Sequence, residues 1–141
     1  MRAVRCAMIA AATVLLGSRV LAAENKALIH YLSAPVIEGT GAYASIASLL
    51  DHNAGVNTEA AAYTNLGLLA VEGTLGVVTA FLDGDGRRKM RTVHRVMGFV
   101  ITAAAVWLGA ANSLDHVDPA VQATSYSYAA LSTVPIIMFS F

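Results

Sequence analysis

Long apolar blocks separated by short polar stretches organise this chain. After an apolar stretch near the N-terminus, four more cover roughly 27–51, 60–82, 93–114 and 121–141. Their apolar residues run in blocks and do not alternate as strand residues do. A bilayer-spanning helix needs about 20 apolar residues at about 1.5 Å each. The second and third segments meet that length best. The second is interrupted only by Glu72, and the third carries no ionisable residue beyond His94 and Arg95. The first holds Pro35, Glu38, Gly39 and Gly41, and the fourth is rich in Ser and Tyr and contains Pro135. Short connections between long helices imply antiparallel neighbours. The predicted fold is all-α, an up-and-down transmembrane four-helix bundle.

The pattern also repeats. Residues 30–52 slide onto 94–116 at an offset of 64, which matches His30 with His94, Val36-Ile37 with Val100-Ile101, Ala47 with Ala111, and Leu50-Asp51-His52 with Leu114-Asp115-His116. This predicts a duplicated helical hairpin in which the first and third helices run parallel.

Composition points the same way. Charged residues are 13 % of the chain and hydrophobic residues 57 %. A soluble domain carries about 25 % charged residues, so there are too few charges here to cover a water-facing surface. The net charge is zero, which gives no electrostatic reason to expect nucleic acid as a partner. Residues 1–23 read as a signal peptide: Arg2 and Arg5 precede the apolar run Ala7 to Gly17, and Val20-Leu21-Ala22 offers a cleavage point before Ala23. An uncleaved anchor helix is the alternative. The remainder, 24–141, is one transmembrane domain of a bacterial inner-membrane protein. The one cysteine, Cys6, lies in the leader, so the mature chain has no thiol pair.

Positive charge is concentrated. No Lys or Arg lies between Ala27 and Gly86, then Arg87, Arg88, Lys89, Arg91 and Arg95 follow closely, after the polar turn Asp83-Gly84-Asp85-Gly86. Basic loops favour the cytoplasm, whereas a cleaved signal and four full spans put this one outside. The repeat favours four spans nonetheless, because it makes segment one equivalent to segment three.

The four histidines stand at the two ends of the matched helices. Two imidazoles on different helices are able to hold a haem iron. Haem propionates are anionic and favour basic partners. Lys26, Arg88, Arg91 and Arg95 neighbour His30 and His94, whereas Asp51, Asp115, Asp118 and Glu59 surround His52 and His116. His30 and His94 are therefore the candidate metal ligands, with Gly98 giving clearance one turn from His94. His52 and His116 fit helix C-termini, where the helix dipole favours positive charge.

The segment His94-Arg95-Val96-Met97-Gly98-Phe99 follows a basic loop and opens an apolar helix that ends in Gly109-Ala110-Ala111-Asn112. It resembles the four-helix membrane b-type cytochromes of the cytochrome b561 and ferric-reductase kind, mainly over 60–116. That resemblance implies transmembrane electron transfer through haem b, with His94 as a ligand and a redox partner protein beside the lipid bilayer. His30 joins it through the internal repeat.

Glu38 and Glu72 lie inside apolar segments at similar depth. Ionisable groups there are costly and face the bundle interior or a water path. They are candidates for a proton relay or cation pathway. A non-catalytic small inner-membrane protein, serving assembly or interaction, is the remaining alternative.

Overall fold

The computed structural model describes the backbone over residues 26–140 and side chains over residues 32–137. The expected signal segment, 1–23, lies outside the described residues. Four helices account for nearly all of the described chain: α1 (Lys26–Leu50), α2 (Val56–Phe81), α3 (Gly84–Leu114) and α4 (Pro119–Ser140). No strand occurs among the described residues. Two of the helices, α2 and α3, are long and apolar enough to cross a membrane. Pro35 and Pro135 sit within α1 and α4 without ending them.

The basic segment read as a loop is helical, and α3 begins at Gly84 rather than near 93. Local chemistry explains the early start. Gly84 takes φ +54°, a left-handed conformation that glycine adopts without penalty. Asp83 and Asp85 then stand at the positive end of the helix dipole. They meet Arg87 at 3.2 Å and Arg88 at 3.9 Å, one turn on. Arg87 also donates to the carbonyls of Leu82 and Ala80, covering orphan acceptors at the end of α2.

Each helix packs on the next, and α1 also packs on α4, so the four close into a ring. Small residues let the backbones approach. One core group is Ala44, Ala61, Ala62, Leu108 and Ala111; another is Ile37, Leu69, Ile101, Ala105, Tyr128 and Ala129. Gly41 belongs to this packing: a Cβ there would lie 2.5 Å from the Tyr128 ring. Large apolar side chains cover the outside, among them Tyr63, Val77, Phe81, Val96 and Leu114. A lipid environment suits that distribution.

Two buried asparagines join the helices. Asn65 on α2 donates to the Ser45 hydroxyl of α1 at 2.8 Å and accepts from the Tyr128 hydroxyl of α4 at 3.1 Å. Asn112 on α3 donates to Ser48 of α1 and Ser125 of α4, both at 2.8 Å. The three serine hydroxyls donate in turn to carbonyls one turn back.

The ends of the helices are tied by exchange. Asp115, after α3, accepts from the Gly55 and Thr58 amides that open α2. Asp51, after α1, accepts from the Asp118 amide that precedes α4. Each aspartate of the two Leu-Asp-His triplets thus reaches the start of the other hairpin's second helix. Ser48 and Asn112, which bond directly, are also separated by the 64-residue offset of the repeat.

Candidate functional site

The candidate site lies at the opposite end of the helices from these caps. His94 Nδ1 on α3 is 2.8 Å from Glu72 Oε1 on α2. The tight connection between the two helices brings them together: Glu72 is ten residues before Leu82, and His94 is eleven after Asp83. The Glu72 side chain is 12 % exposed and that of His94 26 %. Glu38 of α1 lies within electrostatic reach of both. Three helices thus contribute ionisable side chains to one neighbourhood.

A carboxylate at Nδ1 determines what the imidazole has left to offer. A carboxylate placed at Nδ1 favours the neutral tautomer that carries its proton on that nitrogen. This is the arrangement in which a histidine serves as a metal ligand through Nε2 while an outer carboxylate orients it. It is equally a proton-exchanging pair. One turn along α3, a Cβ added to Gly98 would meet nothing within 4 Å, so space is open at that position.

His30 lies in α1, and its side chain is outside the described residues. Its backbone position is nevertheless informative. The Asn112–Ser48 bond fixes a common level on α3 and α1. His94 and His30 are each 18 residues from that level, about 27 Å along helices that run the same way. The two helix positions therefore share one end of the molecule.

Arg88, Lys89, Arg91 and Arg95 are exposed on the outer surface of α3. Arg88 meets Asp85 at 3.9 Å, and the other three extend along the surface of the helix. His52 and His116 are at the far end. The His52 side chain is 90 % exposed beside Asp51. His116 adopts φ 56° in the turn after α3, and its carbonyl accepts from Asn53. Among the described residues, no group of three or more His, Cys, Asp or Glu side chains converges to hold a metal ion.

The aspartates between the helices have a structural part that the sequence pattern alone does not assign. The Thr58 side chain, with the Thr58 and Gly55 amides, holds the Asp115 carboxyl below the usual range. The amides of Asp118 and Asn53 do the same for Asp51. Gly55 is required by this close approach, since a Cβ there would lie 2.8 Å from Asp115 Oδ2. The Glu72–His94 pairing is also absent from the expectations drawn on sequence, although counting outward from the turn at 82–83 indicates it.

No protein-family model, curated protein or solved structure matches the chain.

Proposed function

We propose that the chain is an inner-membrane, four-span helical bundle, built as a duplicated hairpin, that transfers electrons through one b-type haem between α1 and α3. His94 and His30 would hold the iron. The observation that carries the reading is the 2.8 Å contact between His94 Nδ1 and Glu72, the carboxylate–imidazole pairing that orients a metal-binding histidine. The shared level of the two histidine positions, the open space at Gly98 and the cationic start of α3 add support. The resemblance, mainly over 60–116, to the cytochrome b561 and ferric-reductase kind implies the same chemistry.

A haem bound there would supply one-electron transfer. The chain's own part is to orient and exclude. Glu72 sets the tautomer and rotation of the His94 ring, and the apolar helices keep bulk water away. The basic end of α3 favours anionic propionates over the acidic end at Asp51, Asp115 and Asp118. A soluble or membrane-bound redox partner would complete the transfer. The test is a visible spectrum of the detergent-purified protein. Low-spin haem bands that vanish in His94→Ala are expected; a colourless native protein would end the proposal.

A second reading rests on Glu38 lying within reach of Glu72 and His94. Three ionisable groups from three helices suit a proton or cation pathway. Proton flux into liposomes that disappears in the Glu38→Gln, Glu72→Gln double variant is its expected signature. Unchanged flux in that variant removes it.

A further inference from the structure

Helix α3 is longer than the membrane it would cross. Its 31 residues extend about 46 Å at about 1.5 Å per residue, against a hydrocarbon layer of about 30 Å. Its ionisable-free part, Val96 to Leu114, accounts for about 28 Å at that rise and matches the layer. The surplus must emerge at one end. At Leu114 the helix turns directly into the aspartate-capped end, level with the end of α1 and the starts of α2 and α4. The surplus therefore emerges at the other end, as the three turns from Gly84 to Arg95.

The α2–α3 tip has two distinct faces. Arg88, Arg91 and Arg95 recur at intervals of three and four, which places them along one face of α3. All three are exposed, as are Lys89 and, one turn below Arg95, Phe99. From α2, Val77, Val78 and Phe81 are exposed at 61 %, 39 % and 84 %. Cations therefore stand at headgroup height, with Val77 and Val78 level with Arg88 and the exposed Val96, Phe99 and Val100 on the hydrocarbon side of Arg95. Water alone would leave the apolar residues unfavourably exposed, and hydrocarbon would strand the cations. An interface of phosphate groups over acyl chains satisfies both. Among the described residues, the opposite end has acids and no Lys or Arg, so the complementarity is one-sided.

We infer that the α2–α3 tip is a binding site for anionic phospholipid, with Arg88, Arg91 and Arg95 on headgroup phosphates and the exposed Val96, Phe99 and Val100 against the acyl chains. A protein partner of acidic surface is the rival occupant. The adjacent apolar patch favours the lipid, because an acidic soluble surface has nothing to place there. The same arginines neighbour the haem site proposed above, but this test reads retained lipid and not colour, so the two proposals fail separately.

The full chain is purified into nanodiscs of phosphatidylcholine mixed with phosphatidylglycerol, and retained lipid is counted by native mass spectrometry. Enrichment of the anionic lipid on the order of ten-fold is expected, since each basic residue near a surface favours anionic lipid appreciably. The variant Arg88→Gln, Arg91→Gln, Arg95→Gln should lose most of that enrichment. The matching triple Lys variant should keep much of it, which separates lost charge from misfolding. Equal retention of the two lipids by the native protein would overturn the inference. So would enrichment that survives in the Gln variant, or an acidic protein held at the tip while the lipids exchange alike.

Discussion

The two ends of this molecule solve opposite problems. Around Asp51 and Asp115, each helix terminus is bonded to the other hairpin, and Asn65 and Asn112 draw the four helices together just inside. The buried residues of α2 run from Thr58 to Leu69, and those of α3 from Ile101 to Asn112. Toward the other end, the same two helices bury no residue beyond those limits. There they carry Glu72 and His94, with open space at Gly98. Polar groups at the first end are consumed by holding the fold. At the second end they retain chemistry, and the helices leave room for it. A scaffold fixed at one end permits the other to stay open without separating.

This contrast predicts which substitutions harm stability and which harm chemistry. The largest effect is expected from Gly41→Leu, which drives a side chain into the Tyr128 ring, where even a Cβ would lie only 2.5 Å away. Overpacking of this kind costs about 3 kcal/mol, read as a lower unfolding temperature in detergent. Asn112→Ala comes next. It strands the Ser48 and Ser125 hydroxyls from their shared partner, at about 1–2 kcal/mol. The same measurement checks it.

Acid should weaken the capped end. The folded state holds the Asp51 and Asp115 carboxyls below the ordinary 3.8. Their contribution is then full above that value and is lost as pH falls through the lower folded value. Unfolding temperature should drop over that acid range, and the Asp51→Asn, Asp115→Asn variant should show a flatter profile. The smallest stability effect is expected from Glu72→Gln, within about 0.5 kcal/mol because an amide still reaches the ring. Its consequence lies elsewhere. A neutral partner at Nδ1 makes the imidazole a poorer donor, so the midpoint potential of bound haem should rise.

Helix number and order are legible in the sequence because unbroken apolar runs are a strong signal. The start of α3 is not, since its charged residues hide a helix that only local Asp–Arg pairs and Gly84 make favourable. The offset of 64 indicates which residues share a level, and the Asn112–Ser48 bond follows it. The roles of Asp51 and Asp115 are hidden because a carboxylate just past a helix looks like surface charge until the neighbouring amides are placed. Glu72 and His94 are each conspicuous, one as an acid in an apolar run and the other near the start of one. Counting outward from the turn at 82–83 puts them at one level, but whether they face each other across α2 and α3 comes from packing.

The most direct test places all four histidines side by side. Reduced-minus-oxidised absorbance is recorded on membranes carrying His30→Ala, His52→Ala, His94→Ala or His116→Ala, each normalised to the amount of chain present. If the haem lies between α1 and α3, its bands disappear with His30 or His94 substituted and persist with His52 or His116 substituted. Bands that survive without His94, or that depend on His52 and His116 instead, would contradict that placement.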